Sequence, residues 1–221
     1  MNPYSVIMLI GIAFSLIILL FSAILHEVAH GFVADRFGDP TARLAGRLTL
    51  DPRRHIDPLM SIAVPLLLLI SGSPVIFGAA KPVPVDPFNL KEGRRDVALV
   101  SLAGPLTNIL IAIIAGVLFK LIYLSQNTFP TFSFSLIAYL LSLVVKFNLL
   151  LAVFNLIPIP PLDGSKIFAL LLPEKEARAY LAIEGIGIFI LFFLLLVPIG
   201  PFSLGSLISS LISFAQNLLL Q

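Results

Sequence analysis

The sequence contains no cysteine. Disulfides and thiolate chemistry are therefore excluded, the redox compartment is unreadable, and any metal must be held by histidine and carboxylate. Charge is nearly as scarce. Only 12% of the 221 residues are Asp, Glu, Lys or Arg, where an ordinary soluble domain carries about 25%. With 58% hydrophobic residues and a mean hydropathy of +1.06, too little polar surface remains to clothe a water-soluble fold. An integral membrane protein is expected. The net charge of +2 is too weak to point to nucleic acid. Internal repeats and low-complexity tracts are also absent, which points to a single membrane-embedded domain over residues 1–221.

A helix needs about 20 apolar residues to cross a bilayer. Residues 1–25 carry no charged side chain and form the first expected span. The run lacks the basic start of a signal peptide and leads straight into His26 and Glu27, so it reads as a mature helix. Further spans are expected at 97–123, 134–157, 182–197 and 204–220. The apolar run Leu59–Ile70 is too short to cross upright, contains Pro65 and ends in Ser71-Gly72-Ser73-Pro74. Arginines at 36, 43, 47, 53 and 54 precede it, and Lys81, Lys91, Arg94 and Arg95 follow it. Both flanks favour the cytoplasmic side, so the segment is expected to re-enter, although one short span would also fit. The fold class is thus an all-α integral membrane protein with five to six transmembrane helices and a small re-entrant β-region. Lys81-Pro82-Val83-Pro84-Val85 reads as its extended strand, with both prolines removing donors from one edge.

The chemistry is concentrated in His26-Glu27-Val28-Ala29-His30, an H-E-x-x-H sequence at the end of the first span. On a helix, residues four apart share a face, so both imidazoles can reach one zinc. Glu27 projects beside them as a base for water activated by the ion. With three His and five Glu in the chain, an accidental match is on the order of one in a thousand. The third ligand must be a carboxylate or His55. The best carboxylate is Asp163, at the end of Asn155-Leu156-Ile157-Pro158-Ile159-Pro160-Pro161-Leu162-Asp163-Gly164, where prolines break a transmembrane helix. The bland alternative is an interfacial turn in which Asp163 caps the next helix.

Together, His26–His30 and Asn155–Gly164 resemble the site-2 protease family of intramembrane zinc metalloproteases. That family pairs H-E-x-x-H with N-x-x-P-x-P-x-L-D-G, and both are intact here. Gly104-Pro105-Leu106-Thr107-Asn108 resembles its G-P-x-x-N element. Asp39-Pro40-Thr41, residues 51–58 and 80–84 resemble its small PDZ-less prokaryotic branch. The resemblance covers residues 20–170 and implies one Zn2+ per chain on His26, His30 and Asp163, with Glu27 as general base. It also implies a transmembrane protein as substrate, in the lipid bilayer of a plasma membrane, with the site nearer the cytoplasmic side. Many members insert a PDZ domain where this chain has about ten neutral residues between the spans at 97–123 and 134–157, so no PDZ domain is expected. Members also carry a membrane-embedded β-structure that holds substrate as an added strand. Residues 75–85 match its position, which makes Ile76, Phe77 and Gly78 substrate-binding candidates.

Asn155 is the first candidate donor to the oxyanion of hydrolysis, and Asn108 the weaker one; each could equally be a helix-packing amide. His55, in the basic loop, is expected to hydrogen-bond that loop rather than bind metal. Lys146, near the middle of a span, is expected to snorkel or to pair with Glu184. A zinc transporter would want ligands repeated along several helices, whereas every histidine lies within residues 26–55. An inactive peptide-binding relative is disfavoured by the intact Glu27.

Overall fold

The computed structural model describes residues 3–58, 63, 67, 81–124, 131–200 and 203–221, with side chains from Gly11 onward and, past residue 130, from Phe134. Among them the chain is helical, with no strand. Helix α1 runs Pro3–Phe37 and ends at Gly38, whose φ of 111° suits a residue without Cβ. Two single turns follow, α2 (Thr41–Leu44) and α3 (Pro52–His55). Then come α4 (Arg94–Leu124), α5 (Thr131–Asn155), α6 (Asp163–Leu170), α7 (Glu174–Leu181), α8 (Glu184–Leu196) and α9 (Leu204–Leu220).

Helix α4 is the centre of the molecule. In its most apolar window 44% of residues are buried, against 17% for α1 and 22% for α5. Its buried residues are mostly small: Ala98, Ser101, Gly104, Ala112, Ala115 and Gly116. Small residues let neighbouring backbones approach, which is how helices associate where water gives no hydrophobic drive. Its exposed side chains, among them Leu106, Leu110, Ile113, Ile114 and Leu118, suit contact with lipid. A core of Ala112, Ala115, Val145, Leu149, Leu191, Leu204 and Ile208 joins α4 to α5, α8 and α9.

Among the described residues, three helices are long and apolar enough to cross a membrane: Gly11–Phe37, Arg94–Leu124 and Phe134–Asn155. A fourth span forms only if α7 and α8, bent by 69° at their junction, count as one. The sequence suggests five full spans. The difference lies at the C-terminus, where α8 has 13 residues and α9 has 17. At 1.5 Å per residue these reach about 20 and 26 Å, short of a hydrocarbon core of about 30 Å. Residues 59–80 fall almost wholly outside the described part, and with them the expected re-entrant turn. Lys81–Val85, expected as a strand, pairs with none among the described residues. The Lys81 N–H goes to the His55 carbonyl at 2.8 Å and the Val83 N–H to the Glu27 carboxylate at 2.8 Å, so neither is free for a ladder.

Two fastenings place the loop that carries Asp163. Arg94, at the start of α4, donates to the carbonyls of Ala169 and Leu172 at the end of α6. On the other side the loop rests on α8 at Gly187, where a Cβ would stand 1.8 Å from the Pro160 carbonyl oxygen. Only glycine fits beneath that backbone. The Pro160–Pro161 peptide is cis.

The basic loop after α1 is organised by Asp39, which is fully buried. Its carboxylate accepts from the Asp86 amide at 2.7 Å, the Asn89 side chain at 3.0 Å, and both the amide and hydroxyl of Thr41. Burial alone would raise its pKa, but these donors overcome it and hold the group below the ordinary carboxylate value. Stability from a depressed carboxylate is complete above its unfolded pKa and disappears as pH falls through the folded one. Asp39→Asn is therefore expected to lower thermal stability at pH 7 by about 2 kcal/mol, with the gap to wild type closing below pH 4. Thermal melts of the detergent-solubilised pair at pH 7 and pH 3 check this; an equal gap at both would remove Asp39's charge from the explanation.

Candidate metal centre

One turn of α1 carries His26 and His30, and the first residue of α6 is Asp163. All three are buried. Their donor atoms form a tight triangle. His26 Nε2 lies 3.0 Å from His30 Nε2 and 3.1 Å from Asp163 Oδ2, and His30 Nε2 lies 3.3 Å from the same oxygen. Zinc bonds of about 2.0–2.1 Å set tetrahedral donors roughly 3.3–3.4 Å apart, so the triangle is close to one face of such a site.

The outer nitrogens explain why the inner ones converge. His30 Nδ1 lies 2.7 Å from the Val100 carbonyl, which only accepts, so that nitrogen carries the proton. His26 Nδ1 donates to Asn108 Oδ1 at 2.6 Å. In neutral imidazoles both Nε2 atoms then present lone pairs. One shared proton could satisfy one edge of the triangle; a dication satisfies all three. Partners of this kind orient histidines that bind metal. The Asp163 carboxylate lies against the two Nε2 atoms, not against the amides that a capping Asp would take.

Helix α4 meets these rings at Gly104, where a Cβ would lie 2.5 Å from His30 Nε2 and 2.6 Å from His26 Nε2. The next residue, Pro105, has no N–H for the carbonyl one turn earlier. Both belong to the G-P-x-x-N element, whose use here is to let two imidazoles lie against a backbone.

A cavity of about 350 Å³ opens on the triangle, lined by Glu27, Val83, Asn155 and Lys166 among others. Glu27 is half-buried, and its carboxylate is held by the Val83 amide. Pro82 and Pro84 leave Val83 the one amide donor of residues 82–84. Arg47, 8% exposed, pins the segment through the carbonyls of Lys81 and Pro82 at 2.7 and 3.2 Å. Lys166 Nζ, one helical turn after Asp163 on α6, lies 3.8 Å from Asp163 Oδ1.

The other candidates fall as follows. Asn155 lines the cavity and donates to the Leu151 carbonyl of its own helix at 3.0 Å. Asn108 is fully buried and is not among the residues lining the cavity. Its amide protons go to the Ser22 carbonyl at 3.3 Å and to Asn148 Oδ1 at 2.9 Å, so a substrate contact is not where its donors point. His55 is fully buried, donates from Nε2 to the Thr49 carbonyl at 2.8 Å, and is not part of the donor cluster. Lys146 is exposed and, among the described residues, makes no ion pair with Glu184. Ile76, Phe77 and Gly78 lie outside the described residues. Asn148 and Ser22 carry no motif and are absent from the sequence reading.

Comparison with known proteins agrees with this chemistry. The model of Peptidase family M50 matches residues 130–198. A Bacillus subtilis protein provisionally named zinc metalloprotease YwhC is 36% identical over 195 residues, covering 88% of this chain and 85% of that one. Rip2 of Mycobacterium tuberculosis H37Rv, also provisionally named a zinc metalloprotease, is 35% identical over 182 residues, covering 82% of this chain and 65% of its own. Zinc metalloprotease MJ0392 of Methanocaldococcus jannaschii is 30% identical over 161 residues, covering 72% of this chain and 35% of its own. No solved structure gives a significant match.

Proposed function

Because the chain belongs to peptidase family M50, the site-2 protease family, we propose that it is an intramembrane zinc endopeptidase. It hydrolyses peptide bonds within or near transmembrane segments of other membrane proteins. The observation that carries this reading is the triangle of His26, His30 and Asp163, which joins a membrane-spanning helix to the proline-broken loop and opens on a cavity beside Glu27. His26, His30 and Asp163 hold the zinc. When bound, zinc acidifies a water and polarises the scissile carbonyl.

The chain's own residues do the rest. Glu27, held by the Val83 amide, accepts the proton of the attacking water and passes it to the leaving nitrogen. Asn155 has one amide proton beyond that given to Leu151, and this is the donor to the developing oxyanion. Asn108, with both amide protons taken, is left out of substrate contact. The substrate must be held extended beside the triangle, because its own helix would otherwise shield the peptide bond, and Ile76, Phe77 and Gly78 are the residues for that contact. The protein is a multi-pass resident of the plasma membrane, and its basic residues around 36–54 put the site nearer the cytoplasm.

The test is zinc per chain and cleavage of a panel of single-span peptides in liposomes. Wild type and His55→Ala are expected to carry about one zinc and to cut within or near the span; Asp163→Ala is expected to lose both properties. Zinc-free protein even after zinc addition would sink the reading, as would cleavage confined to soluble peptides.

A further inference from the structure

We propose that Asn148 is a positioning residue for the metal centre: it fixes which end of the Asn108 amide faces His26, and so keeps the His26 Nε2 lone pair free for zinc. This rests on His26 being a zinc ligand. Asn108 and Asn148 are both fully buried, one on α4 and the other on α5. Buried polar side chains on apolar helices are costly and need partners.

The hydrogen bonds between them have a direction. It starts at the Val144 carbonyl, which only accepts, so the group 2.9 Å from it is the Asn148 NH2; that NH2 also meets Ser22 Oγ at 2.9 Å. The other end of Asn148, Oδ1, therefore faces Asn108 and accepts from its Nδ2 at 2.9 Å. Asn108 is thereby turned with Oδ1 towards His26 Nδ1, 2.6 Å away. Reversing either amide would bring like ends together. A reversed Asn108 would offer its NH2 to Nδ1, and the ring would then carry its proton on Nε2, where it would block the metal. The Ser22 carbonyl supports Asn108 as well, but at 3.3 Å it is the longer contact. The Val144 carbonyl thus sets a histidine tautomer through two asparagines, with the Ser22 carbonyl as a longer second support.

Simple glue between helices would use the same hydrogen bonds, so the test must separate the two. Asn108→Asp supplies the means, because a carboxylate has no donor end to reverse. Zinc affinity is read by competition with a chelator for Asn148→Leu, Asn108→Asp and the double variant, with folding followed by gel filtration and melting. Asn148→Leu alone is expected to weaken zinc binding about tenfold, within the range seen when outer partners of metal ligands are lost. On top of Asn108→Asp it is expected to cost nothing more. Equal losses in both backgrounds would show helix packing and overturn the proposal, and so would no loss in either. If Asn148→Leu alone fails to fold, a double variant that folds and binds as Asn108→Asp does still supports it, whereas failure of both overturns it. A His26→Ala protein with wild-type zinc affinity would instead remove the ligand reading on which the proposal stands.

Discussion

Gly104→Ala is expected to strip the protein of zinc while leaving most of the helices in place. The added methyl would arrive 2.5–2.6 Å from the two nitrogens that face Asp163. Something must then move by about 1 Å, since unstrained carbon–nitrogen contacts begin near 3.5 Å. Either the imidazoles swing off the triangle or α4 backs away from α1, which also pulls the Val100 carbonyl from His30. A displacement of that size in a catalytic constellation costs about a hundredfold. The check is zinc per chain alongside proteolytic rate and melting temperature. A variant with wild-type zinc and rate would mean that the rings do not rest on Gly104.

Glu27→Gln is expected to do the opposite, keeping zinc and losing hydrolysis. Glutamine has the same shape and can still accept from the Val83 amide, so the packing around the site should persist. What it lacks is a basic oxygen for the proton of the attacking water. Losing a positioned general base costs about a thousandfold. Zinc content measured with cleavage of a single-span peptide separates the cases. Zinc lost together with activity would make Glu27 part of the metal's support, and activity retained would place the base elsewhere. With Asp163→Ala, which is expected to lose both, the variant divides binding from chemistry.

Much of this was legible before any coordinates. The i, i+4 spacing of His26 and His30 put two imidazoles on one helical face, and the three prolines before Asp163 marked backbone unfit for lipid. The structure brings those three residues together. What could not be read is instructive. Asn148 and Ser22 lie in apolar runs with no flanking motif, and a lone amide in such a run says nothing about its neighbours. Gly104 was visible as part of a motif, but its purpose depends on two rings that lie on another helix, α1. The Val83 contact is made by backbone, which side-chain identity does not report, although the prolines on either side had already isolated that amide. Among the described residues the span count differs because hydropathy records an apolar run but not where its helix ends, and α8 and α9 have only 13 and 17 residues.

The seat of the Pro160 carbonyl on Gly187 also bears on how the protein is made. His26 leaves the ribosome 137 residues before Asp163, and the helix on which Asp163's loop rests is translated later still. Two histidines alone offer an incomplete set of donors. A nascent chain already threaded into the bilayer therefore has Glu27 and two of the three donors but no finished triangle. The seat beneath Asp163's loop exists only once Gly187 has been made, so the donor triangle is completed late in synthesis.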